Sequence, residues 1–474
     1  MKENLTLKKI HQSLIKKEMS VAEVCDFYLK EIERKDKDIS AFLEVFSDVK
    51  EQAQKAQKMI DEGKASSLTG VPLATKDNIL IKDRKVTAAS AILENYVAPY
   101  DSTVSKKLKK EGVVFLGRAN MDEFAMGAST EKSAFMTTKN PHDISRVPGG
   151  SSGGSAAIVA SGMAPVAFGS DTGGSVRQPA SFCGCVGLKP TYGAVSRFGL
   201  IAMGSSLDQI GPLTQTVTDS ETVFNLISGR DSMDATTYER EVSEDNKKDF
   251  VIGVPWHLIK QEGVDKEVTE AFTKNISDLE KAGFKIKDVE LPNLEHTLSA
   301  YYVLVQAEVS SNMARFDGMR YGAKIKGKDL LEEYMKTRSL FGEEVKRRII
   351  TGTYVLSAGY YDTYYNKAYT VKKLAISDFE KVFSSNSPVD AVAFPTSPTP
   401  AFKVGEKNDD PIQMYMADMF TVPANISGVP AISIPGRTVR KDGKDLPLGL
   451  QLMAPWKRED TLFSIGKIYK EEKN

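Results

Sequence analysis

Between Arg146 and Gly184 the chain reads RVPGGSSGGSAAIVASGMAPVAFGSDTGGSVRQPASFCG. Glycine loses more conformational freedom on folding than any other residue. Glycines gathered this densely therefore mark places where the backbone must turn tightly or be closely approached. Two glycine-flanked serines, Ser151 and Ser175, stand on either side of one short apolar helical segment. The surrounding pattern shows what frames them. Strand-like segments at Val71–Ala74, Ile79–Ile81, Val113–Leu116 and Val166–Phe168 alternate with short helices at Thr103–Lys110 and Ser155–Ser161. This alternation predicts an α/β protein with a mostly parallel sheet at its centre.

Residues 1–65 read as helical. Leu5, Leu7, Ile10 and Leu14 recur at helical spacing among lysines. Ser20-Val21-Ala22-Glu23 is a capping box, followed by Val24, Phe27 and Ile32, and Gly63 stops a helix that begins near Asp48. The polar stretch 228–250 predicts a surface loop. After it come a strand at Val251–Val254, a helix at Asp265–Ala282 ending at Gly283, and a strand at Phe284–Val289. Residues 294–384 are mainly helical, and the cluster Tyr360, Tyr361, Tyr364 and Tyr365 is expected to pack this helical cap. Strands return at Val392–Phe394, Ala431–Ile434 and Leu448–Leu452, with a final helix after Arg458. One sheet fed from both ends makes residues 1–474 a single domain, with 70–212 as its core and 294–384 as its cap.

Composition narrows the function. The 474 residues include 63 basic and 63 acidic side chains, a formal net charge of zero. A protein that grips nucleic acid usually has a basic excess, and the run Lys106, Lys107, Lys109 and Lys110 reads as a solvated helix face. Three cysteines argue against a disulfide framework and fit a reducing compartment. Cys183 and Cys185 lack the second pair that a metal site needs, so burial is expected and no metal. The N-terminus lacks the apolar core of a signal peptide, and the longest apolar stretch, Ala156–Phe168, is too short to span a bilayer. The chain reads as cytoplasmic, with no membrane partner.

Three chemistries compete for the serines. Gly149 to Gly154 has phosphate-loop spacing, but Ser155 stands where that motif needs lysine. Gly149-Gly150-Ser151-Ser152-Gly153 fits a nucleophile elbow, which needs a later histidine, and only His257 and His296 are available. The third chemistry uses a lysine base. Lys76 follows the apolar segment Val71–Ala74, where it can be buried at the end of the sheet. Burial depresses a lysine pKa by up to about 3–5 units, enough to leave a neutral amine near pH 7. Ser151 could then relay a proton between Lys76 and Ser175. The glycines of Asp171-Thr172-Gly173-Gly174-Ser175 allow successive backbone N–H groups to converge on an oxyanion.

Lys76 in VPLATKDNI, Ser151 in PGGSSGGSAA and Ser175 in GSDTGGSVRQPASFCGCVGLKPTYG resemble, in this order, the three centres of the amidase signature family. The resemblance implies a large central mixed β-sheet flanked by α-helices on both faces. It implies a Ser–cis-Ser–Lys triad with Ser175 as nucleophile, Ser151 as bridge and Lys76 as base. The oxyanion donors would be the amides of Thr172, Gly173 and Gly174. Further segments, including RANMDEFAMGAST (118–130), FGEEVKRRIITGTYVLSAGYYDTYYNKA (341–368) and DMFTVPANISGVPAISIP (418–435), resemble the branch of that family that serves tRNA-dependent amidotransferases. That branch hydrolyses glutamine and uses no cofactor itself. Its ammonia passes to a B subunit, which uses ATP and Mg²⁺ to amidate glutamate on mischarged tRNA, while a small C subunit binds the glutamine-hydrolysing one. Contact with tRNA is thus indirect. By the same resemblance Arg348, with Arg347 as the neighbouring alternative, would hold the glutamine carboxylate and Asp418 its ammonium. Tyr302 and Ser129 would line the pocket. Ala194 and Cys185 depart from the family pattern, and neither touches the triad. A free-standing amidase acting on small neutral amides is the rival reading.

Overall fold

The computed structural model describes residues 6–240, 247, 249–408 and 410–471. Leu5 of the first amphipathic pattern and part of the expected 228–250 loop lie outside the described residues. Eleven strands form one sheet: β1 (Phe42–Val45), β2 (Pro72–Lys76), β3 (Val114–Ala119), β4 (Val166–Asp171), β5 (Val186–Lys189), β6 (Gln209–Thr214), β7 (Val251–Val254), β8 (Lys285–Asp288), β9 (Ala391–Pro395), β10 (Ala431–Lys441) and β11 (Lys444–Met453). Their order is β1-β3-β2-β4-β6-β5-β10-β11-β9-β7-β8.

The mixed sheet is as expected, but its centre is not mostly parallel. From β4 through β6, β5, β10 and β11 to β9 every neighbouring pair is antiparallel. Parallel pairs flank this block, β3–β2–β4 on one side and β9–β7–β8 on the other. The βα alternation that reads as parallel belongs to these flanks. The central strands come from both ends of the chain, so no local repeat reveals their direction. Ile79–Ile81 is not a strand; Ile79 makes only an isolated bridge to Leu200. β1, β5 and β6 were not expected, and β1 interrupts the helical 1–65 segment. β5 and β6 are short and contain Gly187, Gly211 and Pro212, which weaken the strand signal.

Helices form where the caps place them. Ser20 and Glu23 complete the capping box that starts Val21–Ile39. The helix Val49–Asp61 ends just before Gly63, whose φ is +70°. The apolar helix Gly153–Ala160 is buried nearly all round, which explains why its sequence shows no polar face. Cys25, Cys183 and Cys185 are all buried, and all are free thiols. Among the described residues no helix is long and apolar enough to cross a membrane.

One buried pair ties the ends of the chain together. Arg177 is wholly buried at the start of the helix Arg177–Cys183 and meets both oxygens of Asp171 at 3.0 Å. It also donates to Thr421 O, Asn425 Oδ1 and Gln451 Oε1 at 2.6–2.8 Å. Burial pushes Asp171 up most strongly of any single cause, but the charge and hydrogen bond of Arg177, with the Asn425 amide and the Lys189 charge, together hold the carboxyl down at about 2. Removing one partner leaves an uncompensated buried charge, which costs about 3–5 kcal/mol. Arg177→Ala is expected to lower the unfolding free energy by about that amount, read as a lower urea midpoint at pH 7. An unchanged midpoint would show that the pair does not hold the fold.

Candidate active site

β2 ends on Lys76, which is wholly buried. The ends of β2 and β4 lie side by side in parallel, so Lys76 falls beside Ser170 at the end of β4. Its Nζ is 2.7 Å from Ser151 Oγ, 2.8 Å from Ser152 Oγ, 2.9 Å from Ser170 Oγ and 3.2 Å from Ser170 O. Two of these hydroxyls are oriented by other groups. Ser152 Oγ donates to Ser170 O, and Ser170 Oγ accepts from Asn78 Nδ2 at 3.0 Å. Both oxygens can therefore accept the two N–H groups of a neutral amine, which leaves its lone pair for the Ser151 hydroxyl. Burial brings the Lys76 pKa down to about 7, against the pull of Asp122, Asp171 and Asp208 in the other direction.

Ser151 follows the cis peptide Gly150–Ser151. The turn is held by Gln178, whose Oε1 accepts from Gly150 N at 2.9 Å. A Cβ at Gly150 would stand 2.1 Å from Asp122 Oδ2 and 2.5 Å from Ser129 N, so only glycine fits. Ser175 lies on the opposite side of the same knot, where its carbonyl accepts from Ser152 N at 3.1 Å. Lys76 and Ser151 are sealed, whereas Ser175 keeps 8% exposure. Lys76 and Ser151 are thus in direct hydrogen-bond reach, and the Ser175 backbone is tied to the same knot through Ser152.

The loop after β4 corrects one expectation. The Gly174 N–H is already engaged with Asp171 Oδ1 at 2.8 Å, so it is not a free oxyanion donor. Val176 N donates to the other oxygen of Asp171 at 3.1 Å. The uncommitted amides of the loop are those of Thr172, Gly173 and Ser175. Gly174 has φ +136° and a Cβ there would meet Thr421 Oγ1 at 2.2 Å, so its role is to permit the turn. Thr172 is tied by its hydroxyl to Asp208 at 2.6 Å.

A cavity of about 290 Å³ is lined in part by Ser129, Tyr302, Glu344, Arg347, Arg348 and Tyr415, but by none of Lys76, Ser151 and Ser175; Ser129 connects it to the knot, its N lying 2.5 Å from where a Cβ on Gly150 would stand. Ser129 Oγ is buried without a hydrogen-bond partner. Arg348 is buried, and its Nε donates to Glu344 Oε1 at 2.7 Å. Its guanidinium lies 5.5 Å from the ring centres of both Tyr302 and Tyr415. Arg347 also pairs with Glu344 but is far more exposed. Asp418 does not line the cavity; Tyr302 Oη donates to its Oδ2 at 3.2 Å. Burial raises the Asp418 pKa to about 7, partly offset by the Tyr302 hydroxyl and Arg348.

The sequence reading missed Glu344, Tyr415, Ser152, Ser170 and Asn78. The i, i+4 spacing of Glu344 and Arg348 on one helix was a usable signal. Tyr415 approaches from elsewhere in the chain and stacks on Tyr302 at 4.0 Å, which no local pattern shows. The histidine alternative finds no support. His257 and His296 lie near Glu290 and Glu295 at the surface, and neither bonds to the serines.

A buried amine among oriented hydroxyls, beside a glycine loop with free amides, is the arrangement of a serine amide hydrolase without histidine. The sequence profile of the family described as Amidase matches residues 23–463, and the chain belongs to that family. Within it the chain is 52% identical, over 89% of its length and 87% of the relative's, to the A subunit of the glutamyl-tRNA(Gln) amidotransferase of Thermodesulfovibrio yellowstonii. The crystal structure of the protein of the same name from Thermotoga maritima superposes with a TM-score of 0.79 at 40% identity, covering 98% of this chain and 94% of that one. The peptide amidase of Stenotrophomonas maltophilia gives a TM-score of 0.82 at 27% identity, covering 98% and 96%.

The Lys76 environment has a thermodynamic signature. Its pKa is about 7 when folded and about 10.4 in an unfolded chain. Between these values the unfolded state binds the proton that the folded state lacks, so stability rises with pH across that window. Relative to Lys76→Met, the wild-type chain is expected to gain up to about 1.4 kcal/mol per pH unit between pH 7 and 10. Parallel denaturation curves across this range would place the amine in water.

Proposed function

We propose that the chain is the glutamine-hydrolysing subunit of a tRNA-dependent amidotransferase. The observation that carries this reading is the buried, hydrogen-bonded Lys76–Ser151 pair, together with the buried guanidinium of Arg348 in a cavity that Ser129 also lines. The names of the relatives cited above support it.

In this reading the glutamine carboxamide lies over Ser175. Neutral Lys76 draws a proton from Ser151, Ser151 takes one from Ser175, and Ser175 Oγ attacks the amide carbon. The amides of Thr172, Gly173 and Ser175 stabilise the oxyanion. As the intermediate collapses, the C–N bond breaks and the proton returns through Ser151 to the departing nitrogen, releasing ammonia. Water, activated by the same relay, then hydrolyses the ester to glutamate. Arg348 binds the α-carboxylate through its terminal nitrogens, while Nε stays on Glu344. Ionised Asp418 attracts the α-ammonium, and Tyr302 and Ser129 complete the pocket. The chain needs no cofactor for these steps. The ammonia serves a B subunit that uses ATP and Mg²⁺ and holds the tRNA, with a C subunit completing a heterotrimer in the cytoplasm. The chain functions as one amidase domain over residues 1–474.

A free-standing amidase for neutral amides would share the knot but would gain nothing from a buried charge in its pocket. Ser175→Ala is expected to lower glutamine hydrolysis by at least about 1000-fold. The wild-type rate should rise with pH through about 7 as Lys76 loses its proton. Preference for benzamide over glutamine would favour the neutral-amide reading. Glu344→Gln is expected to raise KM for glutamine about tenfold or more with little change in kcat, because it loosens Arg348 while sparing the knot. An equal fall in kcat alone would assign Glu344 a different role.

A further inference from the structure

The amides of Thr172, Gly173 and Ser175 are uncommitted, and the loop that carries them is fastened at three places. Gly174 N and Val176 N donate to Asp171. The Gly173 carbonyl accepts from Thr421 Oγ1 at 2.6 Å. The Thr172 hydroxyl donates to Asp208 at 2.6 Å. The Asp171–Arg177 pair and Thr421 hold the far half of the loop. The near half rests on Asp208, a buried carboxylate that no step of the hydrolysis uses. The sheet register explains why it stands there. β4 and β6 are antiparallel, and Asp171, the last residue of β4, lies opposite Gln209, the first of β6. Thr172 leaves the ladder just after Asp171 and Asp208 enters it just before Gln209, so the two meet one step beyond its end.

Asp208 is itself held firmly. Its Oδ1 accepts from Gly204 N at 3.1 Å as well as from Thr172, and its Oδ2 accepts from Met203 N at 2.9 Å. The turn Met203–Asp208 closes on itself, with Leu207 N and Asp208 N donating to Gly204 O at 2.9 and 2.8 Å. It is fastened in addition to the helix Thr297–Met313. Asn312 Nδ2 donates to Met203 O at 3.0 Å, and Ser206 N donates to Glu308 at 3.0 Å. The same helix carries Tyr302 of the cavity, and its Tyr301 hydroxyl lies 2.6 Å from where a Cβ on Gly173 would stand. The charge of Asp208 offers the reaction nothing. A carboxylate beside an oxyanion donor opposes the charge that develops there, and this one also pulls the Lys76 pKa upward, away from the neutral amine. Its contribution is a fixed acceptor.

We propose that Asp208 is a positioning residue for the oxyanion donors: through the Thr172 hydroxyl it fixes the two amides on either side of the Thr172 Cα, its own and that of Gly173, toward the carbonyl oxygen of the reacting amide. The proposal rests on the reading of the chain as a glutamine hydrolase and deepens it. Donors aimed in advance need no rearrangement when the oxyanion forms, so the Asp208–Thr172 bond acts on the rate of the chemical step and not on the binding of glutamine.

The test follows glutamine hydrolysis by the full chain with the companion subunits of its amidotransferase, at a pH above the Lys76 transition. Thr172→Val keeps the shape and both amides and removes only the hydroxyl. It is expected to lower kcat about 30- to 100-fold and to leave KM within about twofold. Thr172→Ser restores the hydroxyl and should return kcat to within about threefold of wild type. Asp208→Asn puts an N–H₂ where donors need an acceptor and is expected to match Thr172→Val. The double variant Thr172→Val/Asp208→Asn should be no slower than the slower single one, because both remove the same bond. If Asp208→Asn does not fold, the two Thr172 variants decide the matter. The positioning role alone is overturned if Thr172→Val is as fast as wild type or Thr172→Ser is as slow as Thr172→Val. It is overturned equally by a raised KM at unchanged kcat, or by losses that multiply in the double variant. A wild-type chain that does not hydrolyse glutamine would overturn the glutamine hydrolase reading and the proposal with it.

Discussion

At the base of the Ser175 loop a carboxylate and a guanidinium face each other with no access to water. Asp171 closes β4 and Arg177 opens the next helix, so the glycine loop between them must fold around the pair. Two loop amides point inward to Asp171, and Arg177 reaches outward to Thr421, Asn425 and Gln451. A buried ion pair persists when nearly every donor and acceptor is satisfied. Satisfying this one requires the loop, the helix Val422–Ser427 and β11 to meet at one point. The shape of the loop that presents Ser175 is therefore set by residues 244 to 274 positions beyond Arg177.

Two basic side chains, Lys76 and Arg348, are buried, and their surroundings give them opposite behaviour. Lys76 lies among hydroxyls and a carbonyl, with its acidic neighbours out of contact, so desolvation dominates and the amine can be neutral near pH 7. Arg348 is buried as deeply, but it bonds directly to Glu344 and lies beside the stacked rings of Tyr302 and Tyr415, so it stays charged. Comparable burial thus leaves an amine that can be neutral in one place and a fixed cation in the other. The difference lies in whether a carboxylate makes contact.

The helix Glu343–Val355 serves both faces of the cap. Its inner side holds Glu344 and Arg348 against the cavity, and its outer side leaves Ile350 and Tyr354 exposed. Its first turn is anchored to the core, since Gly342 N donates to the buried Glu123 at 2.8 Å.

Local chemistry in the sequence determined the caps at Ser20 and Gly63, most helix limits, and the identity of Lys76, Ser151 and Ser175. These features depend on near neighbours or on residue types that few other chemistries tolerate. Arg348, Tyr302 and Ser129 were legible only through the family likeness, and the cavity gathers them. Tertiary structure alone decided the antiparallel centre of the sheet, because β5 finds its partner β10 far along the chain, with Leu188 opposite Ile432. It decided that Gly174 gives its amide to Asp171, that Asp418 accepts from Tyr302 outside the cavity lining, and that Tyr360, Tyr361 and Tyr364 stand exposed while Tyr365 packs against the core. In each case a partner that the local pattern does not specify, or the lack of one, fixes the outcome, and no spacing along the chain encodes that partner.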